Sequence, residues 1–301
     1  MILKHNILCK KSYQILIILT MTLHLKGYSI ELMKPWGFFA HKKINTLAIY
    51  TLPLEMVTFY KRHQKEIEDL SVLPDQRRYI MDQEASRHYI DLDRYEISAI
   101  QYTNWSEITQ KINPDSLVKH GIVPWHIPIL YQQLKYAFVR RDTIKIIKLS
   151  AEMGHYIGDL HVPLHTTSNY DGQKTGQSGL HAFWESRIPE LLNESLEELV
   201  GPATFIPNIT KSTWDWVLES HTQVKILIDQ EAKLNATFRQ SKKYTFEKKG
   251  NVLQKNYSVE YSKKYHQVLG HQIEDRFQRA YKHVGDIWYS AWIEAGQPFF
   301  K

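Results

Sequence analysis

A chain of 301 residues that is 43% hydrophobic and 23% charged is long enough to bury one or two cores and too apolar to be a disordered segment. Its formal charge of +6 rests largely on Lys4, Lys10, Lys11 and Lys26; residues 1–29 hold those four lysines and no acid, and without them the balance falls to +2. Bulk charge therefore gives no case for nucleic acid, because binding by counterion release needs a concentrated basic patch.

The first element is a leader. Lys4, Lys10 and Lys11 precede the apolar run Tyr13 to Leu25, which is short for a bilayer span and the right length for the core of a signal peptide. Gly27-Tyr28-Ser29 satisfies the small-x-small rule, so a cut after Ser29 and export to the periplasm or the medium are expected. Retention of the segment as a membrane anchor is the alternative. The expected division is a signal peptide at 1–29 and one domain at 30–301. The single cysteine, Cys9, lies in the leader ahead of its apolar core, which argues against lipid attachment and leaves the mature chain without a disulfide.

Beyond the leader, helical signals dominate. Pro53 separates two predicted helices, Lys42 to Leu52 and Leu54 to Ile67. Asn104 to Gly121 is rich in loop-forming residues. Leu130, Leu134, Phe138, Ile146 and Leu149 predict one long amphipathic helix over Ile127 to Ser150, and Leu269 to Trp288 predicts another, ended by Gly296. Asp171 to Gly179 reads as a loop, and the lysine-rich piece Gln240 to Lys264 as a solvated loop or short insertion with phosphate binding as a secondary reading. No internal repeat or long linker divides the chain, so a single all-α domain is expected.

Chemistry concentrates between His155 and Glu185. His155 and Asp159 are four apart, as are His181 and Glu185, so on helices each pair projects from one face and can close on a single ion; His165 lies between the pairs. Imidazole nitrogen and carboxylate oxygen suit Zn²⁺, bound at roughly 2.0–2.2 Å. An aspartate amid histidines suits a multinuclear site, since its two oxygens can serve two ions. A lone histidine would read as a core or capping residue, but two such pairs do not. Upstream, His41, Asp75 and His88 extend the set. GxSxG, GxxxxGK[ST] and CxxC are absent, which leaves serine-hydrolase, P-loop and zinc-ribbon readings without support.

In combination these residues resemble zinc-dependent phospholipase C and the related S1/P1-type nucleases, all-helical enzymes with three zinc ions in a cleft. The likeness runs from Trp36 to about Glu190 and is carried by His155, Asp159 and His165 in the context GDLHVPLH. It implies one zinc held by Asp75, His88, His155 and Asp159, a second by His165, His181 and Glu185, and a third by His41, Asp159 and the main-chain atoms of Trp36. Asp82 is the fallback for Asp75. In the family that tryptophan is the mature N-terminus; here six residues separate it from the expected cut, and Pro35 disfavours ordinary cleavage beside it. The disulfides of the fungal nucleases have no counterpart in the mature chain.

Clustered Zn²⁺ activates water near neutral pH and polarises a phosphoryl oxygen, so phosphodiester hydrolysis is the matching reaction. The resemblance gives Asp75 the task of orienting or deprotonating the attacking water. Arg78 is a candidate phosphate fork or a partner for Asp75, and His161 is expected to support the ligands by hydrogen bonding. Trp125, His126 and Tyr131 read as core before cleft. Glu185 and the 15 residues between His165 and His181 favour the phospholipase branch, whereas His88 to Asp91 (HYID) and the GDLH and PLH motifs look nuclease-like. The expected partner is thus a phospholipid or single-stranded nucleic acid, for a monomer with no protein partner implied. The alternative of another class is an exported zinc-binding protein without turnover.

Overall fold

The computed structural model describes residues 37–249 and 252–300. The expected signal peptide at 1–29 and the main-chain ligand Trp36 lie outside the described residues. The described helices are α1 (Phe38–Ile49), α2 (Leu54–Arg62), α3 (Gln64–Leu70), α4 (Val123–Arg140), α5 (Thr143–Leu160), α6 (Ile209–Thr222) and α7 (Val224–Thr237). After them come a two-stranded hairpin, β1 (Tyr244–Lys249) and β2 (Val252–Tyr257), and two more helices, α8 (Val259–Leu269) and α9 (Gln272–Glu294). Short turns of helix fill the connections, and the all-α expectation holds. Among the described residues no helix is long and apolar enough to cross a membrane.

The core is built around α5, which packs against α1, α3, α4 and α9. Every residue from 150 to 169 is buried, so the second half of this helix has no solvent face and must satisfy its polar side chains internally. Ser150 shows how. Its hydroxyl meets Tyr60 Oη of α2 at 2.9 Å, and its carbonyl accepts from Trp288 Nε1 of α9 at 3.1 Å. Tyr60 and Trp288 stack at 4.7 Å, which joins three helices at one point. Truncating a fully buried tryptophan such as Trp288 to alanine would cost about 3–5 kcal/mol.

Glycines on α5 let α1 approach. A Cβ on Gly154 would lie 2.2 Å from Asn45 Oδ1, and one on Gly158 would lie 3.1 Å from His41 Nδ1. The antiparallel match of Asn45 to Gly154 and His41 to Gly158 lays His41 beside the turn of α5 that carries His155 and Asp159.

Several predicted boundaries need correction. The helix expected over Ile127 to Ser150 is two helices. Arg141 adopts a left-handed conformation (φ 53°) and Asp142 caps the amide of Lys145, reversing the chain so that α4 and α5 pack on each other. Leu269 belongs to α8, and Gly270 (φ 66°) breaks the run before α9. His63 likewise divides Leu54 to Ile67. The loop-like Asn104 to Gly121 holds two short helices, Trp105–Ile108 and Pro114–Lys119, capped by Asn104 and Asn113. The lysine-rich piece holds a 3-10 turn, the β1–β2 hairpin and the start of α8, and the hairpin's paired residues run from Tyr244 with Tyr257 to Lys249 with Val252.

Candidate metal centre

Six segments converge on one buried cluster of nitrogen and oxygen donors. α1 brings His41, the short helix Leu73–Arg77 brings Asp75, and the 3-10 turn Ala85–His88 brings His88. α5 contributes His155 and Asp159 from one face, the 3-10 turn Pro163–Thr166 contributes His165, and residues 180–187 contribute His181 and Glu185. That last segment widens into a π-turn at Phe183–Arg187, a local irregularity found frequently at functional sites.

Asp159 is the hub. Its Oδ2 lies 2.8 Å from His88 Nδ1 and 3.2 Å from His155 Nε2, whereas its Oδ1 faces His41 Nε2 at 3.4 Å. The two oxygens therefore address different imidazoles. Asp75 Oδ1 closes the first group, 3.8 Å from His88 Nδ1 and 3.9 Å from His155 Nε2. His181 Nε2 lies 2.7 Å from Glu185 Oε2 and 2.9 Å from His165 Nε2, which forms a second group. Glu185 Oε1, 3.8 Å from His41 Nε2, links that group to the Asp159 side. Four sets of three donors, His41–Asp75–His155, His88–His155–Asp159, His165–His181–Glu185 and His41–Asp159–Glu185, each lie within 4.8 Å of one another.

The hydrogen-bond pattern shows that this donor set fits metal ions. His155 Nδ1 donates to the carbonyl of Ser71 at 2.8 Å and His165 Nδ1 to that of His88 at 2.7 Å, so each ring turns Nε2 inward. These nitrogens face other ring nitrogens and carboxylates at close range, an arrangement that a shared cation would stabilise. His41 adds a second sign, since neither of its nitrogens has a hydrogen-bond partner although the residue is 2% exposed. Burial pushes the Asp159 carboxyl up, but His155 and His165 more than offset this and hold it well below the usual carboxylate range. Burial likewise raises Glu185, and His181 outweighs it, leaving that carboxyl low. Both acids are ready as anionic ligands.

Behind the donors lies a buried acid that sequence reading missed. Glu84 has no exposed surface, accepts from Arg77, Arg87 and Tyr156, and stands 3.7 Å from His88 Nε2. Arg77 continues to Glu152 at 2.5 Å. At this distance the carboxylate acts on the far side of His88 by charge, without a hydrogen bond, and leaves Nδ1 facing the cluster. The signal was present in the four-residue spacing of Glu84 and His88.

Other candidates fall into place. Asp82 is exposed, and Asp75, 8% exposed, is the acid that reaches the histidines. Arg78 Nη1 lies 3.6 Å from Asp75 Oδ1, and Arg78 lines a cleft of about 450 Å³ with Tyr89, Arg94, Tyr170, His165 and His181. It is thus both an Asp75 partner and a cleft residue. His161 does not support the ligands as expected; at the C-terminal end of α5 it turns away, donating from Nδ1 to the carbonyl of Ile157 at 2.7 Å and meeting His283 Nδ1 at 2.8 Å. Trp125 and Tyr131 are core residues, and His126 packs edge-on against Tyr156.

A family model for S1/P1 nuclease matches residues 36–280. The chain belongs to the S1/P1 nuclease family. Among solved structures it is similar to an alpha-toxin from an avian strain of Clostridium perfringens, with a TM-score of 0.53 and 12% identity over 87% of this chain and 65% of that one. An alpha-toxin from Clostridium absonum matches at a TM-score of 0.47 and 13% identity, over 82% of this chain and 63% of that one. The chain spans just under two thirds of each toxin. At this identity the perfringens match shows a shared helical fold. No curated protein matches by sequence.

Proposed function

We propose that this S1/P1 nuclease family member is a zinc-dependent phosphodiester hydrolase whose substrate is a phospholipid. The observation that carries the hydrolase reading is Asp159, whose two oxygens face His88 and His155 on one side and His41 on the other, beside a cleft with two guanidiniums. Donors of nitrogen and oxygen alone, with no thiolate among the described residues, suit zinc. Asp75, His88, His155 and Asp159 would hold one ion, His165, His181 and Glu185 a second, and His41 with Asp159 a third, to which Trp36 would add main-chain atoms. Bound zinc supplies Lewis-acid polarisation of the phosphoryl group and a water of lowered pKa.

The side chains supply the rest. Asp75, beside Arg78, would hold the attacking water by hydrogen bond and take its proton. Arg78, 44% exposed at its side chain, offers a planar fork to a non-bridging phosphate oxygen from the cleft wall. Arg94 adds a second cation farther along. The phospholipid choice rests on Glu185 and on the short spacing between His165 and His181.

A second reading, hydrolysis of single-stranded nucleic acid, is favoured by the family match and by Tyr89 and Tyr170 in the cleft, whose rings could stack on bases. Zinc-loaded protein assayed side by side on phosphatidylcholine and single-stranded DNA decides between them. Hydrolysis of DNA alone selects the second reading. Failure on both, and on bis-p-nitrophenyl phosphate, leaves a zinc-binding protein without turnover. Export with cleavage after Ser29, and action as a monomer, belong to the same proposal; the N-terminus and mass of the exported protein test them.

A further inference from the structure

The β1–β2 hairpin takes no part in the chemistry above, yet it is fastened to the segment that carries His181 and Glu185. At its base Tyr257 stacks on Phe183 at 3.9 Å, and midway along β1, on the opposite face, Glu247 accepts from Arg187 at 2.5 and 3.0 Å. Lys243, just before β1, is buried against Glu231 at 2.9 Å, and Glu231 also accepts from Gln177 of the loop preceding His181. Any surface that seats the hairpin therefore orients the metal-ligand segment.

Away from these contacts the side chains of the hairpin are exposed. Phe246 and Leu253 are each 66% exposed and Val252 53%. In the register, Phe246 opposes Lys255 and Lys248 opposes Leu253, so a single face alternates large apolar groups with exposed cations. Glu247 is the one acid in either strand, and its charge is matched by Arg187. Lys248, Lys249 and Lys255 then leave the hairpin sequence net positive.

We propose that the face of this hairpin bearing Phe246, Lys248, Leu253 and Lys255 is a lipid-docking element that seats the protein on a membrane surface containing anionic lipid. Lysines flanking apolar side chains match such a surface, the cations meeting headgroups while the apolar groups enter the acyl boundary. Leu253 and Val252 have no ring face for a base to stack on, which sets this surface apart from a single-strand platform. The proposal rests on the phospholipid reading only for its consequence, delivery of the cleft to substrate in a bilayer; docking itself is measured without turnover.

The test is co-sedimentation of the full chain with vesicles of phosphatidylcholine, with and without phosphatidylserine. The wild type should pellet with the anionic vesicles. Phe246→Ser with Leu253→Ser should weaken this at least about tenfold, and Lys248→Gln with Lys255→Gln should weaken it selectively on anionic vesicles. Both variants should hydrolyse bis-p-nitrophenyl phosphate within about twofold of wild type, since the four substituted side chains are exposed and belong to none of the ligands. In a separate Phe246→Trp variant, the emission added over wild type should shift to the blue when vesicles are mixed in. Wild-type protein that stays in the supernatant, serine or glutamine variants that pellet unchanged, or a Phe246→Trp emission that does not move would each overturn the proposal. So would hairpin-dependent retention of single-stranded DNA with no vesicle binding. Hairpin-dependent vesicle binding by a wild type inert on every phosphodiester would leave docking standing and remove the hydrolase reading.

Discussion

Gly158 lies directly beneath the His41 ring, with its missing Cβ position 3.1 Å from Nδ1, and this contact sets how near α1 can bring His41 to Asp159. Gly158→Ala would push His41 by a few tenths of an ångström. We expect a modest stability loss and weaker binding of the ion that His41 shares with Asp159. Gly154→Ala meets Asn45 at 2.2 Å and should be worse, at about 1–3 kcal/mol of overpacking. Thermal melts and metal titrations of both variants check the order; a Gly154→Ala protein as stable as wild type would contradict it.

Glu84→Gln keeps the shape of the buried side chain and removes the charge facing His88, Arg77 and Arg87. Zinc affinity should fall about 10–100-fold, as for other outer carboxylates behind ligating histidines. The released-zinc signal under a graded chelator series measures this. Unchanged affinity would mean that Glu84 serves only the two arginines.

Acid should narrow the stability gap between zinc-loaded and metal-free protein. Burial lowers His181, but Glu185 outweighs it and raises the ring above its ordinary 6.5; His88 is raised likewise, by Asp159 against burial. A raised folded pKa adds stability that is fully present below the unfolded pKa, near 6.5, and is lost as pH climbs through the folded value. The depressed Asp159 and Glu185 add stability that is lost only in strong acid, below their ordinary 3.8 and 4.5. His126, His161, His221 and His283, held low chiefly by burial, act in the opposite sense but alike in the chelated and zinc-loaded protein. The gap in melting temperature between the two forms should thus be smaller near pH 6 than near pH 8, because protons compete with zinc for the same nitrogens. A gap that does not change with pH would contradict the assignment of these imidazoles.

The N-terminus bears on the ion near His41. A chain beginning at Trp36 offers a free amine, and one beginning at Ile30 a peptide nitrogen, which is a far poorer ligand. The shorter protein should bind its last zinc more tightly and turn over faster. Equal activity would show that the site manages without the amine.

The ligand residues were legible because His155 with Asp159 and His181 with Glu185 keep four-residue spacing, and each pair does share one face of a helical segment. Asp75 and His88 needed the family resemblance, since their spacing alone gives no reason to join them to α5. Glu84 stands four residues before His88, but that spacing alone does not distinguish a buried acid among arginines from a solvated one, so it escaped notice. The hairpin was missed for a different reason. Gly250-Asn251 is a two-residue hairpin signal, but lysines on both strands erased the apolar alternation that a half-buried sheet would show. Arg141 in a left-handed turn, where glycine would be usual, hid the division of α4 from α5.

The most direct test of the metal centre is elemental analysis of zinc-reconstituted wild type beside Asp159→Ala and His161→Ala. Wild type should hold two to three zinc ions per chain, Asp159→Ala should lose more than one together with all turnover, and His161→Ala, which breaks a contact with His283, should keep its metal and lose stability instead. Less than one ion in the wild type, or equal metal in the Asp159 and His161 variants, would contradict the account.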